Sequence, residues 1–189
     1  DACVVLAEGI AGSEENFAQM MNREAKRLGM KNTHFRNSTG LPDPQHVTTA
    51  RDPATLATAL IRDFPTEYQK YYSLKEFRYA NISQPNRNRL LWTDPTVDGV
   101  KTGHTDAAGY CLISSALREQ RRLLAVVLGT SSDKARATES AKLLNWGYIA
   151  YDAVNLYPQG RPVGTPRVWK GSKNQVAAGF DQAFTIAVP

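Results

Sequence analysis

The sequence predicts a mixed α/β fold built on an antiparallel sheet, and three observations carry that prediction. Apolar and β-forming residues crowd positions 109–117 and 123–128, either side of the short polar stretch Arg118-Glu119-Gln120-Arg121, which is the signature of a hairpin. Earlier stretches repeat apolar residues at helical spacing. Beyond Tyr151, the residues Pro158, Gly160, Pro162, Gly164, Pro166 and Gly171 punctuate short apolar pieces, the texture of a small β-rich domain. A boundary is therefore expected near Tyr151, with residues 1–150 in one domain and 151–189 opening a second.

Taken in order, Ser13-Glu14-Glu15 reads as a helix start, a capping hydroxyl followed by acids that suit the positive end of the helix dipole. Phe17, Met20, Met21, Ala25 and Leu28 follow at helical spacing, and Gly29 is a natural stop. The methionine pair reads as core packing. Residues 31–46 form a loop rich in Asn, Thr, Gly and Pro, centred on Thr39-Gly40-Leu41-Pro42-Asp43-Pro44. It is long for a plain connection, so it is expected to line a site.

Asp52-Pro53 marks a second helix, with a capping Asp and Pro in the first helical position. Leu56, Leu60 and Ile61 give it an apolar side, and Pro65 is expected to end it. Residues 66–81, mainly aromatic and polar, predict short strands or an irregular surface piece. Val97-Asp98-Gly99-Val100-Lys101-Thr102-Gly103 reads as a third strand beside the hairpin. A helix follows Ser131-Ser132-Asp133 through Ala137, Ala141, Leu144 and Asn145, and the last seven residues read as a strand.

Composition removes several classes of function. Of 189 residues, 42% are hydrophobic and 22% charged, a globular balance. The net charge of +5 is spread out with no long basic run, which argues against a nucleic-acid binder. No apolar stretch is long enough to cross a bilayer. The chain starts without Met, inside an apolar run, and both ends read as cut from something longer, so the termini say nothing of targeting. Cys3 and Cys111 are too few for a disulfide-dense scaffold or a four-cysteine zinc site, and they read as buried free thiols. His34, His46 and His104 lack metal-ligand spacing. Neither a phosphate loop nor a dinucleotide fingerprint is present, so no cofactor or metal is expected.

One motif remains, Lys101-Thr102-Gly103-His104, on a strand that leads into an antiparallel hairpin. Lys-Thr-Gly is a signature of serine β-lactamases and penicillin-binding proteins. Each residue type has a physical use there. The ammonium supplies fixed positive charge beside a nucleophile's proton network, and the hydroxyl hydrogen-bonds a substrate carboxylate. The glycine lets a substrate backbone lie along the strand edge.

The wider sequence resembles the low-molecular-mass D-alanyl-D-alanine carboxypeptidases of the penicillin-binding protein 5 type along nearly all its length. The anchors include Leu28-Gly29-Met30-Lys31-Asn32-Thr33-His34-Phe35, Thr39-Gly40-Leu41, Asn86-Arg87-Asn88, Val97 through Thr105, Ala108-Gly109-Tyr110 and Leu143-Leu144-Asn145-Trp146-Gly147. The resemblance implies a penicillin-binding transpeptidase domain, an antiparallel sheet flanked by helices, with a small β-rich domain after it. It also implies removal of the terminal D-alanine of peptidoglycan pentapeptides through an acyl-serine that β-lactams trap, in the periplasm on the outer face of the inner membrane. Membrane contact would come only through a C-terminal segment. D,D-endopeptidase, β-lactamase and non-catalytic peptidoglycan-binding relatives are the competing expectations.

By the same resemblance, the nucleophile's Ser-x-x-Lys lies well before Asp1 and the second motif, Ser-Gly-Asn, immediately before it. The chain alone is then expected to be inactive. Lys101 corresponds to the motif lysine, Thr102 to the hydroxyl that meets the terminal carboxylate, and Gly103 to the close-approach position. The backbone N–H of His104 would be an oxyanion-hole donor. Arg87 and Arg136 match arginines near the carboxylate end, where guanidinium pairing suits a free carboxylate. Relatives can carry His where this chain has Thr39, which rules out the same proton transfer here. Cys3 would lie near the cleft.

Overall fold

The computed structural model describes residues 1–189 and opens with a helix that the sequence reading passes over. The apolar run after Asp1 is α1 (Ala2–Ala11), closed by Gly12 at φ 79° with its N–H on the Glu8 carbonyl at 2.8 Å. It buries Ala7 and leaves Val5, Leu6 and Ile10 exposed. An apolar run this short and this evenly apolar carries no clear period, which is why pattern alone did not assign it. In α2 (Glu14–Leu28) the Ser13 hydroxyl accepts from the Asn16 N–H at 3.1 Å, and Gly29 at φ 80° closes the helix on the carbonyls of Ala25 and Lys26. Both ends are as expected.

The methionines of α2 differ from expectation. Met20 and Met21 do not sit in a closed core; with Phe17, Met30, Phe35 and Leu56 they line an open apolar groove. The helical period correctly gave the apolar side of α2, but a period cannot say what covers that side.

The second helix, α3 (Arg51–Asp63), starts one residue before Asp52 and has no side-chain cap. The Asp52 carboxylate is instead buried and accepts from the Asn32 N–H and the Thr33 hydroxyl, both at 2.7 Å. It ties the long loop to the helix. A local capping rule cannot see a partner twenty residues away. Pro65 does not merely end α3; it opens α4 (Pro65–Tyr72), a first-turn position that suits a residue without an N–H. Residues 66–81 are therefore part helix and part hairpin. The hairpin pairs β1 (Glu76–Tyr79) with β2 (Ile82–Pro85) through Ala80 and Asn81, both at positive φ.

After the short α5 (Leu90–Thr93) comes the central sheet, β3 (Val97–Thr105), β4 (Gly109–Arg118) and β5 (Arg121–Thr130), in the order β3-β4-β5 and antiparallel throughout. Glu119 and Gln120 form the two-residue turn, at φ 47° and 66°, whose twist matches a hairpin. Helix α3 packs on β4 and β5, while α4 and α5 pack on β3. Tyr68 of α4, 2% exposed, donates its hydroxyl to Asp98 at 2.8 Å, and Arg122 donates to the same carboxylate at 2.7 Å. Burial pushes the Tyr68 phenol well above its ordinary pKa. Gly99 is required beside it, because a Cβ there would overlap the Tyr68 hydroxyl.

Helix α6 (Asp133–Ala150) follows the sheet. The chain divides into two compact units, Asp1–Leu144 and Asn145–Pro189, where the sequence pattern put the change near Tyr151. Within the second unit, β6 (Asp152–Tyr157) pairs with β9 (Phe184–Val188), and β7 (Pro162–Gly164) pairs with β8 (Ala178–Gly179), all antiparallel. Tyr157, Phe180 and Phe184 stack at centroid separations of 5.2 to 6.3 Å.

Candidate active site

Strand β3 has a strand neighbour on one side only, so its other edge is open. Along that strand runs Lys101-Thr102-Gly103-His104. A cleft of about 920 Å³ opens on these four residues and also takes in Thr39, Gly40, Arg87, Arg89, Asp133 and Arg136. All the site residues expected from sequence thus line one cavity, together with the 31–46 loop.

Arg87 is placed by its neighbours. The Asn86 side chain donates to the Leu74 carbonyl at 2.9 Å, and the Asn86 N–H to the Lys75 carbonyl at 2.7 Å. Asn88 is buried; its amide donates to the Gly99 carbonyl at 3.0 Å, and its oxygen accepts from the Leu90 N–H at 3.2 Å. Asn86 pins the segment to the residues between α4 and β1, Asn88 pins it to α5 and β3, and the exposed arginine between them faces the cleft with no carboxylate partner. This accounts physically for the Asn-Arg-Asn spacing.

Arg136 is placed differently. It is 4% exposed, and its guanidinium donates to the Gly103 carbonyl at 3.1 Å, to the Arg87 carbonyl at 3.4 Å and to the Asp133 carboxylate. It also lies 5.5 Å from the centroid of the Tyr110 ring, and that ring packs 3.9 Å from the His104 ring across the β3–β4 ladder. Arg136 therefore ties α6 to the backbone of the motif strand.

Four cations (Arg87, Arg89, Lys101 and Arg136) face the cleft against one carboxylate, Asp133. The Lys101 ammonium donates to the Thr102 carbonyl. Withdrawal from water pulls its pKa below the ordinary lysine value. The interaction with Cys3 opposes this, while Arg136 and Arg87 add to it. The side chain stays open to the cleft. At Gly103 a Cβ would make only an ordinary 3.7 Å contact with Cys111. Packing inside the protein thus tolerates a side chain there.

Both cysteines are free, but the expectation of burial is corrected: Cys3 is exposed and Cys111 half-buried. Thr39 spends its hydroxyl within its loop, donating to Asn37 Oδ1 at 3.1 Å; the same oxygen accepts from the Gly40 N–H at 2.7 Å. Asp63 pairs with Arg62 at 2.6 Å.

Sequence reasoning missed Arg89, Tyr110 and Asp133. Asp133 resembles one more acid at a helix start, but the Ser132 hydroxyl does the capping, accepting from the Ala135 N–H at 3.0 Å. Asp133 is left to accept from both Arg89 and Arg136. Ser131-Ser132-Asp133-Lys134 also has Ser-x-x-Lys spacing, which the sequence reading overlooked. Lys134 is exposed, and the segment is the start of α6. That structural role accounts for the spacing without a nucleophile.

Comparison with known proteins places the chain in one family. The family profile described as D-alanyl-D-alanine carboxypeptidase matches residues 1–132. The chain is 46% identical over 190 residues to the D-alanyl-D-alanine carboxypeptidase DacC of Escherichia coli, covering 100% of this chain and 47% of the relative. It superposes on penicillin-binding protein 5 from Haemophilus influenzae with a TM-score of 0.90 at 42% identity, over 98% of this chain and 54% of the other. Penicillin-binding protein D2 from Listeria monocytogenes, in its cefotaxime-bound form, matches 78% of this chain and 60% of its own, with a TM-score of 0.72 at 32% identity. The fold is thus that of the penicillin-binding proteins, and the chain belongs to the D-alanyl-D-alanine carboxypeptidase family. It spans about half the length of the curated relatives it matches.

Proposed function

We propose that the protein carrying this chain is a serine-type D-alanyl-D-alanine carboxypeptidase that trims the terminal D-alanine from peptidoglycan pentapeptides. The observation that carries this reading is the open edge of β3, where Lys101, Thr102, Gly103 and His104 meet a free cation, Arg87, in one cleft. A substrate peptide lying along that edge would extend the sheet, with glycine allowing close approach. Its terminal carboxylate would take the Thr102 hydroxyl and the unpaired Arg87 guanidinium. The His104 backbone N–H would stabilise the oxyanion. Lys101 would hold positive charge beside the nucleophile's proton network.

In the family pattern the nucleophile is the serine of a Ser-x-x-Lys that precedes the position of Asp1. Its oxygen would attack the carbonyl of the penultimate D-alanine, and the terminal D-alanine would leave as the amine after taking a proton. Water would then hydrolyse the ester. β-Lactams would trap the same serine, in keeping with the cefotaxime-bound relative. The periplasm, at the outer face of the inner membrane, is the proposed place of action, on resemblance alone.

The complete gene product should release D-alanine from diacetyl-L-lysyl-D-alanyl-D-alanine and should lose that activity in step with β-lactam labelling. Cleavage of a cross-linked dimer without release from the tripeptide would replace this reading with an endopeptidase. No reaction with either substrate would leave a peptidoglycan-binding relative.

A further inference from the structure

The cleft is built to receive a carboxylate, and it already contains one. Asp133 opens α6 and is not needed as a cap, because Ser132 fills that role. Its two oxygens are divided between two guanidinium groups, one taken by Arg136 and the other by Arg89. Arg136, 4% exposed, spends further donors on the Gly103 and Arg87 carbonyls. Three of the five donors of a guanidinium are then committed. Arg87, by contrast, is exposed and unpaired.

We infer that Asp133 is a positioning residue, whose carboxylate fixes Arg136 on the Gly103 carbonyl and draws Arg89 and Arg136 away from the substrate. The terminal carboxylate is thereby directed to Arg87 and Thr102. The inference rests on the carboxypeptidase reading above and assigns a role within that site. Two consequences follow from the geometry. The Gly103–His104 peptide carries the expected oxyanion donor, so loosening Arg136 moves that donor and lowers turnover of any acyl substrate. Neutralising Asp133 also leaves Arg136 uncompensated near Lys101. The titratable and charged groups facing Lys101 are Cys3 on α1, Arg87 before α5, and Arg136 with its partner Asp133 on α6; His104 lies on the same strand.

The test uses Asp133→Asn and Asp133→Glu in the complete gene product. In the Asn variant, kcat for the tripeptide and the benzylpenicillin acylation rate should fall together, by about ten-fold or more. KM should stay level or fall, and the alkaline limb of the pH profile should move to lower pH. The Glu variant should recover most of the loss. Unchanged rates and an unchanged pH profile would overturn the inference, as would a raised KM at constant kcat, which would put Asp133 in direct contact with substrate. Asp133→Ser keeps a good helix-start residue and serves if the Asn variant does not fold.

If the wild type neither releases D-alanine nor is acylated, the functional reading fails, and the Arg136 guanidinium NMR signals then decide the role of Asp133. Slow guanidinium rotation in the wild type that is lost in the Asn variant supports positioning, and equal rotation in both overturns it.

Discussion

The Arg136 guanidinium donates to the Gly103 carbonyl at 3.1 Å, joining the first turn of α6 to the motif strand. This contact, and not a free guanidinium, is what the buried Arg136 offers the site. Arg136→Ala would leave the Gly103 carbonyl without that donor and the Asp133 carboxylate without a buried partner. The expected cost is about 2–3 kcal/mol of folding stability, below the range for a fully buried pair because Asp133 is partly exposed. Urea unfolding of the complete gene product measures it. In the complete gene product, tripeptide turnover and β-lactam acylation should fall together. A loss confined to the peptide would show that Arg136 instead binds the carboxylate.

Arg87 should behave in the opposite way. Its side chain is exposed and unpaired, and its position is held by Asn86 and Asn88. Arg87→Ala is expected to change stability by no more than about 0.5 kcal/mol while raising KM for the peptide several-fold or more. Asn88→Ala should do both, because it removes the buried anchor on the Gly99 carbonyl. Unfolding curves and steady-state kinetics on the three proteins separate the roles.

The two arginines show where sequence reading succeeded and where it stopped. The Lys-Thr-Gly-His motif, the hairpin and the capped α2 were legible because each is a local pattern: a turn of fixed length, a period, a cap. The length of the 31–46 loop already suggested that it lines a site, but the convergence of Arg87 and Arg136 on one cleft was legible only through resemblance. Asp52 and Asp133 were misread or missed for the same physical reason. Each satisfies a helix-start rule on paper, yet spends its carboxylate on distant partners, Asn32 and Thr33 in one case and Arg89 in the other. The evenly apolar α1 gave no period to read, and exposure of the Met20–Met21 side of α2 depends on what covers it, which no period encodes.

Lys101 should set the alkaline limb of the activity profile. The proposed mechanism needs its ammonium charged, and desolvation, offset in part by Cys3 and reinforced by Arg136 and Arg87, holds its pKa below the ordinary lysine value. Activity should therefore decline at a pH below that of a free lysine side chain. Arg87→Ala removes a cation that disfavours the ammonium, so the limb should move back toward the ordinary lysine range. Initial rates in overlapping buffers from pH 7 upward, for wild type and Arg87→Ala, give the comparison. A limb that moves to lower pH in Arg87→Ala, or one unchanged by it, contradicts this assignment.

Asp52 makes a prediction that concerns stability alone. Its buried carboxylate accepts from the Asn32 N–H and the Thr33 hydroxyl, both at 2.7 Å. Asp52→Ala leaves the Asn32 N–H and the Thr33 hydroxyl without the buried carboxylate that accepts from both, and the expected loss is about 1–2 kcal/mol. Asp52→Asn keeps an acceptor oxygen of the same shape and should lose less. The loop it holds runs on to Thr39 and Gly40, which line the cleft. Faster amide hydrogen exchange should therefore spread in Asp52→Ala from Asn32 toward Gly40, while the β4–β5 hairpin keeps its protection relative to global stability. Equal acceleration throughout the chain would mean that Asp52 supports the whole fold and not this loop in particular.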